Sequence, residues 1–353
     1  MVSPLISEDR KFCRASAINF SAIFIFFAAM VISVTLAVPS AVSASVSSVR
    51  IKVLILEDSY SPIPQKDEKI VKMGNLKGDL LFNNLHYVGN IEVWKGENGL
   101  YLINELSLED YIESVVAAEV GTSWDMEALK AQAVISRTYA LYKKLANGNA
   151  HFHLTSSVLH QAYKGINSNP QISYAVLRTA GEVLTYNGSP IEAFYHSTCG
   201  GLTENPEDVF GKGYPYLKPV ASSCELSPYS VWERKIPLEE IEKATNLRGI
   251  KNISINSRTS TGRAKELSVQ SAAGTTIIKS NEFRKMLGWS RLPSTNFTIE
   301  MNGNSIVFGG KGYGHGVGLC QWSALQMARE RKNYREILSF FYPGTEIKLY
   351  EGD

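Results

Sequence analysis

The hydrophobic pattern changes period along the chain, and each change marks a different kind of element. Val49 to Leu56 is a β-rich run closed by the turn residues Ser61-Pro62-Ile63-Pro64. From Gly74 to Asn104 short apolar stretches alternate with Gly and Asn pairs, as in a small meandering sheet. Residues 46–105 therefore read as an N-terminal β-rich subdomain. At Ser107 the period becomes helical. Leu108, Tyr111, Ile112, Val115 and Val116 fit the i, i+3, i+4, i+7, i+8 template of one buried face. Ser107 with Asp110 three residues on approximates a capping box at its start. Gly121 ends this helix, and Thr122-Ser123-Trp124-Asp125 opens a second that runs through Lys143. Ala128, Ala131, Ala133 and Ala140 permit close packing against it.

Farther on, His151 to Gly165 reads as an irregular loop or strand. Val183 to Tyr186 and Ile191 to His196 flank Asn187-Gly188, a strong hairpin signal. Residues 231–308 alternate strands with two short helices, the second starting at Ser280-Asn281 and ending at Gly288. A glycine-dense stretch from Gly309 to Gly318 leads into a helix from about Ser323 to Lys332. This order predicts an α+β fold, the β-rich subdomain followed by a mixed helix/strand domain over 106–350.

Composition adds the compartment. Arg10, Lys11 and Arg14 precede an uncharged run from Ala15 to Val38, and Val42-Ser43-Ala44 follows, of the kind signal peptidase accepts. Residues 1–44 thus predict export to the periplasm or cell wall. The run is longer than the usual signal core, which leaves membrane anchoring through residues 15–38 as an alternative. With 353 residues and a net charge of +2, the body is near neutral, which argues against a nucleic-acid partner and suits uncharged polymers. Cys199, Cys224 and Cys320 lie beyond the leader. Three thiols form at most one internal disulfide, and sequence proximity favours Cys199–Cys224.

Candidate chemistry begins where the apolar face of the first helix reaches Glu119, two residues before the helix stops. A carboxyl there is either desolvated, which raises its pKa into general-acid range, or frays into solvent or a lysine pair. Arg137, among Ala133, Val134, Ala140 and Leu141, either has a carboxylate partner, Glu119 or a substrate group, or reaches past small residues to water. Tyr195-His196-Ser197-Thr198-Cys199-Gly200-Gly201 puts His196 and Ser197 on opposite faces of a strand, so they are a poor nucleophile–base pair. In Gly312-Tyr313-Gly314-His315-Gly316-Val317-Gly318 the alternate glycines allow backbone to approach a ligand, or form a mobile turn. His151, His153 and His160 match no standard zinc spacing.

Taken together and in order, several segments resemble the SpoIID/LytB domain of sporulation stage II protein D and the amidase-enhancer proteins. They are Leu106–Ile112, Val116–Val120, Glu127–Ala133, Ser136–Ala140, Gln161–Gly165, Tyr195–Gly201, Gly312–Gly318 and Gln321–Ala324. The resemblance covers residues 50–350 and identifies 106–350 as a SpoIID/LytB-like catalytic domain. It implies lytic transglycosylase activity on peptidoglycan stripped of stem peptides, cleaving the MurNAc–GlcNAc bond with 1,6-anhydro ring formation. By motif, Glu119 becomes the acid/base, and Arg137, Gln161, Tyr163, His196, Ser197, His315 and Gln321 become glycan-site residues. It also implies a rival from another class, a non-catalytic wall-binding module that enhances a partner amidase. A Ser197 or Cys199 hydrolase is the third reading. Some relatives hold zinc through Cys and His just upstream of the Gln-x-Tyr-x-Gly segment. Here Thr155-Ser156-Ser157-Val158-Leu159-His160 has no cysteine, so neither zinc nor another cofactor is expected.

Overall fold

The opening β-rich run, Arg50–Ile55, is an inner strand of a five-stranded sheet. Across the sheet the order is Val71–Lys77, Asn90–Gly96, Gly99–Ser107, Arg50–Ile55 and Leu154–Thr155. All pairings are antiparallel except the last. That last strand comes from far along the chain, so the sheet is not built from residues 46–105 alone. The structure is a computed structural model that describes residues 49–350 except 57–62, 65–67, 158–159 and 167–168. The export signal or anchor read in residues 1–44 lies outside the described residues. Among the described residues no helix is long and apolar enough to cross a membrane.

Helix α1, Leu108–Glu119, begins where expected, with the Ser107 side chain accepting the Asp110 N–H. Its predicted stripe, Leu108, Tyr111, Ile112, Val115 and Val116, is fully buried. Helix α2, Met126–Asn147, is the long central helix, and Ala128, Ala131, Ala133 and Ala140 are buried as well. Around it pack α1, α3 (Pro170–Arg178) and the strand Glu182–Tyr186. That strand pairs with Ser189–Pro190 across a turn in which Asn187 and Gly188 both have positive φ. The hairpin is shorter than the sequence suggests, because after Pro190 the chain leaves the ladder until Tyr195–His196. Helix α4, Pro206–Phe210, then brings Phe210 to the site.

Residues 229–310 build a second apolar core. Trp232–Pro237, Ser305–Gly310 and Phe297–Asn302 form one three-stranded sheet; Asn252–Arg258, Ala264–Ser271 and Gly274–Lys279 form another. With α5 (Leu238–Thr245) and α6 (Ser280–Leu287) they enclose Ile236, Ile241, Leu267, Phe283 and Phe308. The chain returns to the main core through the glycine stretch, α7 (Gln321–Arg329) and α8 (Tyr334–Phe341).

The glycine stretch does approach backbone closely, but the backbone is the protein's own. Leu319–Cys320 runs parallel to Tyr195–His196, and Thr198 and Tyr313 exchange both backbone hydrogen bonds. At Gly318, φ is +73°, and a Cβ there would lie 1.9 Å from the Phe194 carbonyl oxygen. Glycine is required to seat the loop on this strand.

Candidate active site

The end of α1 delivers Glu119 to a cavity of about 390 Å³, within the range of small-molecule sites. His196 and Ser197 reach it from the Tyr195–His196 strand, His315 from the glycine stretch, and Gln321 from the start of α7. Five of the predicted residues therefore meet: Glu119, His196, Ser197, His315 and Gln321.

The Glu119 carboxyl is held on one side. Its Oε1 accepts the Ala162 N–H at 2.7 Å and the Tyr195 hydroxyl at 3.1 Å. Burial raises its pKa; the Ala162 N–H, the Tyr195 hydroxyl, the Gln321 amide and the Lys164 charge oppose that rise without cancelling it. Glu119 is the sole carboxylate among the described residues lining the cavity.

Gln161, Tyr163 and Arg137 stand behind the site rather than in it. Gln161 is fully buried; its Nε2 donates to the Tyr195 hydroxyl and the Ser136 carbonyl, and its Oε1 accepts from Tyr111. It thus aims the tyrosine that aims Glu119. The Tyr163 hydroxyl donates to Asn104, turned toward the N-terminal sheet. Arg137 makes a two-pronged ion pair with Glu109 at 2.7 and 2.6 Å and donates to the Glu182 carbonyl. Its carboxylate partner is Glu109, not Glu119.

The two site histidines are fixed in different ways. His196 Nδ1 faces the Val317 carbonyl at 3.1 Å, and a carbonyl only accepts, so Nδ1 carries the proton. Nε2 is left as a buried acceptor with no partner. His315 Nδ1 accepts the Val317 N–H at 3.0 Å. Burial pushes the His196 pKa well down and that of His315 down to about 4, so both are neutral at pH 7. Ser197 bonds to Thr198 rather than to a histidine, which removes the serine-hydrolase arrangement.

Aromatic side chains finish the cavity and escaped the sequence reading. Phe194 stacks on Phe210 with centroids 4.4 Å apart, and Tyr139, Tyr195 and Tyr313 add further walls. A lone aromatic in a strand or short helix carries no signal distinguishing cavity wall from core. His160 also reaches the cavity, but its Nδ1 accepts the Thr155 N–H and burial lowers its pKa to about 4. His153 likewise accepts the Lys52 N–H. With no cysteine beside it, the 155–160 stretch does not fit the upstream zinc site of some relatives.

Similarity to known proteins follows the same segments. A family model described as Stage II sporulation protein matches residues 96–186, and one described as a domain of unknown function matches 229–318. Stage II sporulation protein D of Bacillus subtilis is 31% identical over 69% of this chain and 75% of its own length. The chain belongs to the stage II sporulation protein D family. An uncharacterized protein of Brachyspira hyodysenteriae is 34% identical, over 80% of both chains. The amidase enhancer of Bacillus subtilis is 31% identical over 68% of this chain but only 40% of its own length. In this member of the family, the first matched segment holds Glu119 and Gln161, and the second ends on the glycine stretch.

Proposed function

We propose that this protein is a peptidoglycan lytic transglycosylase, exported through residues 1–44 and acting on glycan in the periplasm or wall. The observation that carries the reading is a single carboxyl, biased toward its neutral form by burial, in a cavity whose described lining offers no second one. Glycosidases that use water ordinarily need a pair of carboxyls. One suffices when the attacking hydroxyl belongs to the substrate.

In this scheme protonated Glu119 gives its proton to the glycosidic oxygen as the bond from C1 of MurNAc to O4 of GlcNAc breaks. The muramic C6 hydroxyl closes on C1, and its proton returns to Glu119. A 1,6-anhydro ring and a free GlcNAc hydroxyl result, no water is consumed, and the carboxyl is restored. Ala162 and Tyr195 hold Oε1 and so fix the carboxyl plane. The partnerless His196 Nε2 accepts a glycan hydroxyl, and Gln321, Ser197 and His315 line the sugar's path. Arg137, Gln161 and Tyr163 serve as positioning residues. A preference for glycan without stem peptides rests on the family resemblance alone.

The amidase-enhancer relative supports a second reading, in which the same cavity binds glycan without cleaving it and a cell-wall amidase is the partner. Mass spectrometry of glycan digests separates the outcomes. Anhydro ends support the transglycosylase, reducing ends a hydrolase, and bound but intact strands the enhancer.

A further inference from the structure

Cys199, Cys224 and Cys320 come from three distant segments, yet their sulfurs lie within 4.8 Å of one another and all three residues are buried. The disulfide expected between Cys199 and Cys224 is not formed; their sulfurs are 3.6 Å apart, against about 2.05 Å for a bond. We propose that the three cysteines form a structural metal site for a thiophilic divalent cation of the zinc class. It is distinct from the upstream site of some relatives, and it departs from the expectation of a metal-free protein.

Zinc–sulfur bonds of about 2.3 Å give a tetrahedron with edges of about 3.8 Å. The Cys199–Cys224 separation is close to such an edge without any movement of the backbone. Each sulfur also accepts one backbone amide. The Cys199 N–H points to Cys320 at 3.2 Å, the Gly200 N–H to Cys224 at 3.3 Å, and the Gly201 N–H to Cys199 at 3.4 Å. Amide donors on every sulfur stabilise thiolates, and Gly200 and Gly201 reach these positions with positive φ. In the metal-free form Cys199 donates to the Ser222 carbonyl and Cys320 to the Ser197 carbonyl; the cation takes the place of these protons.

Two neighbours complete the site. The fully buried Ser323 hydroxyl lies 3.8 Å from Cys199 Sγ and also adjoins Cys320, which makes it the oxygen at the fourth corner. Arg263 is buried and donates to the Cys199 carbonyl at 2.5 Å. It pairs with Glu204 at 3.5 Å, yet its Nη1 has no hydrogen-bond partner. A thiolate cluster supplies negative charge beside that buried guanidinium. A bound cation would tie the Gly200 turn, the Ala221–Ser222 strand and the start of α7 together behind the cavity wall that holds Tyr195, His196 and Gln321.

The test reads metal, not glycan cleavage, so it stands apart from the proposed activity. The exported chain, purified under reducing conditions, should contain one zinc per molecule and lose thermal stability on chelation. Reduced, metal-free wild type titrated with cobalt(II) should develop tetrahedral visible bands and a thiolate charge-transfer band that saturate at one equivalent. C199S, C224S and C320S should each weaken the charge-transfer band by about a third or more. Substoichiometric zinc with no saturable cobalt spectrum overturns the proposal. So does a Cys199–Cys224 disulfide found by peptide mapping of the protein recovered from its exported compartment.

Discussion

At residue 119 the fold holds a carboxyl in surroundings that favour its neutral form, and this has a consequence for stability as well as for the proposed catalysis. Unfolding returns the side chain to water and to the ordinary carboxylate range, so the folded chain binds that proton more tightly. The stabilisation is fully present below the unfolded pKa and is lost as pH rises through the folded one. Glu119→Gln keeps the oxygen that accepts from Ala162 and Tyr195 but cannot ionise. Thermal melts between about pH 4 and pH 8 should show wild type and variant alike at the acid end, with the variant increasingly the more stable above it. A gap that closes with rising pH would mean the carboxylate, not the acid, is the form the fold prefers. Position on the apolar stripe was enough to single out Glu119 as a candidate, because a helix period fixes which residue continues a face. The sequence could not tell that Tyr195 and the Ala162 amide hold it, since those contacts span 76 and 43 residues.

Between elements, Arg137 locks α2 to the first turn of α1 through Glu109 and to the Glu182 strand. Removing one partner of a buried pair costs about 3–5 kcal/mol. With the Glu109 side chain still 21% exposed, Arg137→Met should sit at the lower end of that range by denaturant unfolding. Its kcat/KM per folded molecule should stay within a few-fold of wild type; a large rise in KM would instead place the guanidinium on glycan. The glycine stretch makes a second element-scale prediction. Gly318→Ala forces a Cβ into the Phe194 carbonyl and should cost at least about 3 kcal/mol. Gly262→Ala, also at positive φ but with nothing within 4 Å, should cost about 1–2 kcal/mol. Equal costs would show that close packing on the Phe194 strand is not what glycine serves.

Elements were legible where period and boundary signals agree, as at Ser107, Asn187-Gly188 and Ser280 to Gly288. Helices α3, α4 and α8 were missed although Asn169-Pro170, Asn205-Pro206 and the Asn333 capping box mark their starts. The cross-chain pairings, Leu154–Thr155 on the first sheet and Leu319–Cys320 on Tyr195–His196, leave no local trace at all.

Across the whole molecule, the end of α1, helix α2, the segment around Tyr195–His196, helix α4, the glycine stretch and the start of α7 line one cavity. The family relationship spans that arrangement, while the proposed chemistry rests on one side chain. The most direct measurement is therefore the release of anhydro-muropeptides or anhydro-disaccharides from peptidoglycan, peptide-bearing and denuded, by wild type and Glu119→Gln in parallel with a glycan pull-down. Wild type should release anhydro products, and the variant should bind glycan as well while its rate falls by about 10²–10⁴-fold. Cleavage by the variant at the wild-type rate would contradict Glu119 as the acid, and wild type that binds every glycan but cleaves none would contradict the enzyme itself.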